Sequence, residues 1–216
     1  YKYKNNLFKI GSCKHADVST FSLHPLKTIT SGEGGIITTK NSKIAKNIIL
    51  FRSHGILRDK KMHWRYDVIK SGFNYRLSDI NCALGLSQLA KVNFFLKKRK
   101  KIYEKYLNEL KNFNSNLIIP EYSKNIRPSF HLFIINILFK KLNKNKDHFM
   151  KYLMDKKIIA QQHYIPIYKF SIYKRKNISF NGSKKYYDNS ISLPIYVDLD
   201  KKKQDQIIKI IKNYFN

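Results

Sequence analysis

The sequence predicts an α/β protein, and three observations support this prediction. Segments rich in β-branched and aromatic residues predict strands at 18–22, 36–39 and 131–139. Apolar residues recur at helical spacing between these strands and again before the C-terminus. The order strand, helix, strand, strand, helix after Pro120 is typical of a small α/β domain.

Start and stop signals predict the helices of the first half. Ser42 can cap a helix that has an apolar stripe, and Gly55 is a plausible stop. Ser78 begins a second helical pattern, which continues with interruptions to about Leu110. This pattern predicts one long helix, which would bridge two lobes or form an interface, and the alternative is two helices with a break near Asn93.

Composition predicts the remaining segments. The polar stretch 58–70 predicts a surface loop, and the Tyr- and Lys-rich stretch 169–188 predicts an irregular segment. The other predicted elements are strands at 131–139, 158–161 and 190–197, and helices at 147–156 and after Asp200. We place a boundary near residue 90, which divides the chain into domains 1–90 and 91–216.

The charge is strongly positive, and it bears on the choice of partner. The 216 residues contain 43 Lys and Arg against 14 Asp and Glu, a net charge of +29. The excess is spread from end to end and accompanies abundant Asn, Ile and Tyr, which is typical of an AT-rich coding sequence. We therefore expect no nucleic-acid partner, although a basic nucleic-acid-binding module is an alternative.

Cysteine and histidine spacing points to no metal site. Cys13 and Cys82 form no CxxC motif, so we predict free thiols in a reducing cytoplasm. No apolar run approaches the roughly 20 residues that span a membrane, and no signal peptide is visible. The sequence begins with Tyr1 rather than Met, and we interpret it as a fragment.

One lysine stands in a distinctive setting. Ser22, His24, Pro25 and Lys27 follow a predicted strand, and Gly32-Glu33-Gly34-Gly35 comes next. A lysine amine forms an imine with an aldehyde, and a nearby serine and the N–H groups of a small-residue loop can bind a phosphate. The alternative is that Lys27 is an ordinary lysine and that the glycines only form a turn.

This motif resembles the lysine motif of the DegT/DnrJ/EryC1/StrS family of sugar aminotransferases. Four further segments resemble the same family: 51–55, 72–77, 83–89 and 159–168. Within the family they are most similar to the branch that acts in the pseudaminic acid pathway. The resemblance implies a fold-type I, aspartate aminotransferase-like fold that depends on pyridoxal 5'-phosphate (PLP). Residues 1–90 would form the C-terminal part of the large PLP-binding domain, and 91–216 the small α/β domain.

The resemblance also implies roles for individual residues. Lys27 matches the catalytic lysine that binds the cofactor, and Ser22 matches a serine that contacts its phosphate. Asn74 matches an asparagine that reaches the cofactor phosphate of the neighbouring subunit, which implies a homodimer with shared active sites. The residues that match the stretch in contact with the sugar nucleotide are Gln161, Gln162, His163 and Tyr164.

The implied reaction is transfer of an amino group from an amino acid, glutamate in the family, to the C4 ketone of a UDP-linked 4-keto-6-deoxy sugar. The relatives that act as dehydratases carry His where this chain has Lys27. The resemblance further implies an N-terminal part of comparable size, with a phosphate-binding turn, a stacking aromatic and an acidic partner for the cofactor ring. A truncated, non-catalytic fragment is therefore an alternative, and it predicts an exposed apolar surface.

Overall fold

The computed structural model describes residues 1–173 and 180–215. The chain divides into two compact units. The first unit comprises Tyr1–Asn93 with Lys124–Arg127, and the second comprises Phe94–Ser123 with Pro128–Asn216.

The first unit contains short antiparallel strand pairs and two helices. The pairs are β1 (Lys2–Tyr3) with β2 (Asn6–Leu7), β3 (Ser19–Ser22) with β4 (Gly35–Thr38), and β5 (Ile56–Arg58) with β6 (Tyr66–Val68). The helices are α1 (Ser42–Arg52) and α2 (Asp79–Ala90). The strands predicted at 18–22 and 36–39 are confirmed as β3 and β4, which pair with Ser22 opposite Gly35.

The N-terminus of α1 differs from the prediction by one residue. Asn41, not Ser42, is the N-cap, because its Oδ1 accepts hydrogen bonds from the amides of Lys43 (2.9 Å) and Ile44 (3.2 Å). The helix ends at Arg52, before the predicted stop at Gly55.

The predicted surface loop at 58–70 is wrong in part. Its second half contains strand β6, which pairs with β5 in the register Ile56 with Val68, Leu57 with Asp67 and Arg58 with Tyr66. The charged residues of this hairpin interrupt the alternation of apolar and polar residues, which is the signal for a strand in sequence.

The long helical pattern is two helices. α2 is capped by Ser78, whose Oγ accepts a hydrogen bond from the Asn81 amide at 3.2 Å, as predicted. The helix ends at Ala90, and α3 (Val92–Leu110) begins after Lys91. The break near Asn93 is therefore confirmed, and the single long helix is wrong.

Both helices of the first unit leave apolar side chains in solvent. Neither α1 nor α2 contains a buried residue. On α2, Ile80 is 84% exposed and Leu86 is 69% exposed. The first unit therefore carries the exposed apolar surface that the fragment hypothesis predicts.

The second unit is built on a three-stranded antiparallel sheet. The strands are β7 (Leu117–Ile118), β8 (Phe133–Ile137) and β9 (Ser190–Leu193), in the order β7-β8-β9. Its helices are most of α3, α4 (Lys146–Asp155), α5 (Asn181–Asn189) and α6 (Lys201–Phe215). Short 3₁₀ helices cover Phe139–Leu142, Ile167–Lys169 and Ser171–Tyr173.

The core of the second unit lies between this sheet and its helices. Phe133, Ile135 and Ile137 alternate along β8 with no exposed surface, so one face of the strand is fully buried. Asp200 caps α6 through a hydrogen bond from the Lys203 amide at 2.7 Å, as predicted. The helix buries the apolar stripe that sequence indicated, namely Ile207, Ile208 and Ile211, with Ile210 partly buried.

A buried arginine joins α3 to the segments that follow β9 and precede β8. Arg99 is 6% exposed, and its guanidinium donates to the carbonyl oxygens of Ile195 (2.9 Å) and His131 (3.3 Å). Burial lowers the pKa of Arg99 from its ordinary value. The hydrogen bonds compensate part of the desolvation cost of the charge.

Two predictions for the second unit are wrong. Residues 158–161 form no strand, because only Gln161 pairs with β9, through a single bridge to Ser192. The stretch 169–188 is not irregular throughout, since α5 begins at Asn181; its residues 174–179 lie outside the described part of the chain. Among the described residues, no helix combines the length and the hydropathy that crossing a membrane requires.

Candidate active site

Lys27 occupies the last position of a proline-containing turn. Its amide donates to the His24 carbonyl at 2.9 Å, so His24, Pro25, Leu26 and Lys27 form a β-turn with proline at the second position. The turn follows directly from β3, which ends at Ser22. The backbone of Lys27 is therefore held in place by a short, conformationally restricted segment.

The segment between β3 and β4, residues 23–34, is here named the lysine loop. Its hydrogen bonds converge on Leu23, whose carbonyl accepts from the Ser31 amide (3.1 Å) and the Thr30 hydroxyl (2.8 Å). The Leu23 amide donates to Gly34 at 2.9 Å. Leu23 and Ser31 are buried, so the lysine loop is anchored at both ends.

Gly34 is required by the geometry of this loop. Its φ is +141°, a conformation that residues with a side chain rarely adopt. A Cβ at this position would lie 2.8 Å from both Leu77 Cδ1 and Ser31 Oγ. The glycine thus permits close approach between the lysine loop and the segment that precedes α2.

The first turn of α2 is tied to the lysine loop. The Asn81 side-chain amide donates to the Ser31 carbonyl, and its Oδ1 contacts the Ser78 hydroxyl. Neither Asn81 nor Ser31 was identified from sequence. The N-cap signal at Ser78 was visible, but a hydrogen bond across fifty residues leaves no local pattern.

The chemically active groups near the turn are accessible. Within the described part of the chain, the Lys27 amine makes no hydrogen bond or ion pair, and its side chain is half-buried. The Ser22 hydroxyl accepts a hydrogen bond from the His24 amide at 3.3 Å, which leaves its proton available for donation. His24 Nε2 lies 3.8 Å from Glu33 Oε1, but this pair is exposed and contributes little to stability.

Asn74 lies in a backbone crossing of the same unit. It pairs with Ser53, and the neighbouring amides of Phe73 and Tyr75 donate to the carbonyls of Phe51 (2.7 Å) and Arg52 (2.9 Å). Asn74 itself is exposed. The structure thus fixes its backbone against the end of α1 and leaves its side chain in solvent.

Gly55 makes this crossing possible. Its φ is +69°, and a Cβ there would lie 1.7 Å from the Lys70 carbonyl oxygen. No side chain fits at such a distance, so the two chain segments can approach only at a glycine. Gly55 also contributes to the end of α1, as predicted, because its amide donates to the Leu50 carbonyl at 2.7 Å. Its close approach to the Lys70 backbone was not predicted.

Residues 161–164 belong to the second unit. Gln161 exchanges two backbone hydrogen bonds with Ser192, of 2.7 and 2.9 Å, and His163 Nδ1 lies 2.8 Å from the Ser192 hydroxyl. The Gln162 side-chain amide donates to the Tyr187 carbonyl at 2.9 Å. Gln161 and Tyr164 are exposed, so their side chains can reach a ligand, whereas Gln162 and His163 are half-buried.

A lysine shares the acceptor of Gln162. The Lys146 amine also donates to the Tyr187 carbonyl and lies 4.5 Å from the centroid of the Tyr187 ring. Burial lowers the pKa of Lys146 to about 8, although the charges of Asp147 and Asp188 partly offset this effect. The amine therefore loses its proton at a lower pH than an ordinary lysine does.

The arrangement brings Lys27, Ser22 and the segment after Asn74 into one unit, and it places residues 161–164 in the other. A lysine amine, a free hydroxyl and an ordered loop of small residues can bind an aldehyde that carries a phosphate group.

Comparison with known proteins identifies the family. The DegT/DnrJ/EryC1/StrS aminotransferase family matches residues 3–212. The chain belongs to this family. The resemblance inferred from the lysine motif and the four other segments is thereby confirmed.

Individual relatives carry informative names. The UDP-4-amino-4,6-dideoxy-N-acetyl-β-L-altrosamine transaminase of Campylobacter jejuni (strain 81-176) is 38% identical over 198 residues, which are 90% of this chain and 50% of the relative. The transaminase of the same name from Helicobacter pylori is 33% identical over 92% of this chain and 52% of its own length. The chain thus spans about half the length of the curated relatives it matches.

Solved structures confirm the fold. Helicobacter pylori PseC, an aminotransferase involved in the biosynthesis of pseudoaminic acid, superposes with a TM-score of 0.85 at 33% identity. The match covers 93% of this chain and 53% of that one. The sugar aminotransferase Spr1654 of Streptococcus pneumoniae shares the fold with a TM-score of 0.83. The predicted fold-type I class is therefore confirmed.

Proposed function

We propose that this chain is the lysine-bearing part of a PLP-dependent aminotransferase. The enzyme would transfer an amino group from an amino acid, glutamate by family resemblance, to the C4 ketone of a UDP-linked 4-keto-6-deoxy sugar in pseudaminic acid biosynthesis. One observation carries the proposal. In a member of this family, Lys27 ends a proline turn within an ordered loop, and its amine is free of hydrogen bonds in the described part of the chain.

The residues present fit PLP at two points. The Lys27 amine can attach covalently to the aldehyde carbon of the cofactor. The Ser22 hydroxyl, five residues earlier and beside the same turn, can donate a hydrogen bond to its phosphate. The lysine loop would hold Lys27 in place, because Leu23 and Ser31 anchor it in the first unit, and strand β3 would hold Ser22.

Lys27 would also move the proton during the reaction. Bound PLP would supply an electron sink for the negative charge that develops on the substrate carbon. Once released from the cofactor, the Lys27 amine would accept the proton from the α-carbon of the amino acid and donate it again on the cofactor side.

The other candidate residues would bind the sugar nucleotide and the neighbouring cofactor. Gln161 and Tyr164 expose their side chains for direct contact, and Gln162 and His163 would contribute while they hold the segment against α5 and β9. Asn74 would reach the cofactor phosphate of a second subunit, which makes a homodimer part of this proposal.

The two units would correspond to two domains of the family fold. The part up to residue 90 would be the C-terminal portion of the large, PLP-binding domain, and 91–216 the small α/β domain. The division of the chain into units at Asn93 and Phe94 supports this assignment. We further propose that the enzyme acts in the cytoplasm.

A second candidate is favoured by the exposed side of α2. Ile80 and Leu86 lie in solvent, and the chain spans 50% of the Campylobacter relative. On this view the 216 residues alone do not catalyse, and catalysis requires the other half of the family fold to cover the apolar surface.

The test uses a fusion protein in which the N-terminal half of the Campylobacter jejuni relative precedes this chain. We expect this fusion to show a visible absorption band with PLP, which glutamate shifts, and to aminate a UDP-linked 4-keto sugar. Lys27→Ala should abolish the band and the activity, whereas Lys46→Ala, an exposed lysine of α1, should change neither. Full activity of the Lys27→Ala fusion would refute the proposal.

The same spectrum of the 216-residue chain separates the two candidates. A band that depends on Lys27 in the chain alone would refute the non-catalytic candidate. A band in the fusion but not in the chain alone would support it.

A further inference from the structure

The segment between β5 and β6, residues 59–65, is here named the hairpin tip, and its own hydrogen bonds give it a defined shape. The Asp59 amide donates to the Arg65 carbonyl at 2.9 Å, and the Arg65 amide donates to Met62 at 2.8 Å. Asp59 Oδ1 accepts from the amides of Lys61 (2.7 Å) and Met62 (2.8 Å). The hairpin tip is therefore ordered without burying its side chains.

The hairpin tip is strongly cationic. Its exposed basic side chains, with that of the preceding residue, are Arg58, Lys60, Lys61, His63 and Arg65. The one carboxylate among them, Asp59, is occupied by backbone amides, which lower its pKa. Such a surface attracts an anion, and a second copy of a chain with net charge +29 is a poor electrostatic match.

Two large aromatic side chains accompany this charge. Trp64 is 64% exposed and Tyr66 is 62% exposed. Trp64 lies in the turn that precedes β6, and Tyr66 is the first residue of that strand. The Trp64 ring contacts His63 with 5.0 Å between centroids and otherwise presents most of its surface to solvent. An exposed indole beside cations suits a planar, negatively charged ligand.

The base of the β5–β6 hairpin adjoins the backbone crossing that contains Asn74. At its base the Ile69 amide donates to Gly55 at 3.1 Å, and the His54 amide donates to Phe73 at 2.9 Å. Strands extend about 3.3 Å per residue, so the four residues from Gly55 to Asp59 place the hairpin tip about 13 Å from this crossing. That reach suits a ligand whose other end lies near Asn74, the residue proposed to reach the cofactor phosphate of a second subunit.

We infer that the hairpin tip binds the nucleoside diphosphate end of the substrate. The base stacks on Trp64, and Lys60 and Lys61 hold the diphosphate. The inference rests on the proposed function for its substrate class. A single exposed indole with a few cations matches one nucleotide, whereas a nucleic-acid groove presents successive aromatic platforms.

The test uses Trp64 as its own reporter, because it is the single tryptophan of the chain. UDP is titrated into the 216-residue chain while tryptophan fluorescence is recorded, followed by uridine and by inorganic pyrophosphate. We expect saturable quenching by UDP. Uridine and pyrophosphate each retain one of the two contacts, and we expect them to bind at least about tenfold more weakly.

Matched variants locate the site. Lys60→Ala/Lys61→Ala should weaken UDP binding roughly tenfold. The control Lys140→Ala/Lys141→Ala removes the same charge in the second unit, at the edge of an open cleft of about 350 Å³, and should leave the affinity unchanged. Trp64→Ala, assayed by equilibrium dialysis with labelled UDP, should lose roughly tenfold. Far-ultraviolet circular dichroism checks that each variant folds.

Three results would overturn the inference. They are the absence of UDP binding, an equal loss in the two lysine double variants, and tight binding of polyuridylate that Trp64→Ala leaves intact. Covalent attachment of PLP at Lys27 is scored separately, in the fusion with the N-terminal half of the Campylobacter relative. Attachment in the fusion without UDP binding would refute this inference alone, and UDP binding without attachment in the fusion would refute the proposed function.

Discussion

The side-chain amide of Asn81 donates a hydrogen bond to the backbone carbonyl of Ser31, which is completely buried. This contact joins the first turn of α2 to the lysine loop, the segment that carries Lys27. Because Ser78 also contacts the Asn81 side chain, the helix cap and the loop share one small network. The position of the lysine turn therefore depends on a residue far from it in sequence.

Asn81→Leu should loosen the lysine loop. The substitution keeps the side-chain size but removes both hydrogen bonds of the amide, and it leaves the Ser31 carbonyl buried and unpaired. We expect a loss of about 1–3 kcal/mol in local stability. Hydrogen exchange of residues 27–35 measures it, with Asn108→Leu on the exposed surface of α3 as the control. Unchanged protection in Asn81→Leu would contradict the network.

Gly55→Ala should disrupt the crossing that holds Asn74. The added Cβ would lie 1.7 Å from the Lys70 carbonyl oxygen, at a φ of +69°. We expect a destabilisation of roughly 2 kcal/mol or more, because the backbone must move. Gly182→Ala is the matched control, since a Cβ there meets nothing within 4 Å. Thermal unfolding compares the two variants, and equal midpoints would disprove this account of Gly55.

Ser192→Ala should release His163 from β9. Ser192 is 4% exposed, and its hydroxyl lies 2.8 Å from His163 Nδ1, so we expect a loss of about 1–3 kcal/mol. Ser190→Ala is a sharp control on the same strand, because the buried Ser190 hydroxyl has no hydrogen-bond partner in the described part of the chain. Urea unfolding should show a loss for Ser192→Ala and no loss for Ser190→Ala. The reverse order would contradict the proposed contact.

Lys146 should make stability depend on alkaline pH. Burial lowers its pKa in the folded chain to about 8, below the ordinary value of 10.5. Between these values the unfolded chain binds the proton and the folded chain does not, so stability rises with pH across this window. Below pH 8 the charged amine is retained in both states, and its desolvation opposes folding.

The measurement for Lys146 is a difference between two proteins. Lys146→Met keeps a similar side-chain length and removes the titrating group. Subtracting its unfolding free energy from that of the natural chain cancels the other groups that titrate above pH 8. We expect this difference to increase from pH 7.5 to pH 10, and a flat difference would show that Lys146 has its ordinary pKa.

Local signals predicted the fold well where they were strong. The β-branched run of β4, the apolar run around β8, the cap at Ser78 and the stripe of α6 were all recognisable, because each depends on residues close in sequence. The predicted strand at 158–161 failed because one bridge to Ser192 replaces a ladder. The β5–β6 hairpin was missed because charged residues interrupt its pattern.

The residues of the candidate site were likewise predictable only where they are close together in sequence. Lys27, Ser22 and the proline turn stand together in the sequence, so both the motif and the family could be recognised. Asn81 and the role of Gly55 could not be recognised, since each acts on a segment that only folding brings near. Likewise, nothing local showed that Gln162 and His163 would contact α5 and β9.

The most direct test of the central claim is peptide mapping after reduction with borohydride in the presence of PLP. Reduction makes the link between an amine and the cofactor permanent, so the modified lysine can be identified by mass spectrometry. In the fusion with the N-terminal half of the Campylobacter relative, the account predicts that the label concentrates on Lys27 above every other lysine. A label spread evenly over the exposed lysines, with no excess on Lys27, would contradict it.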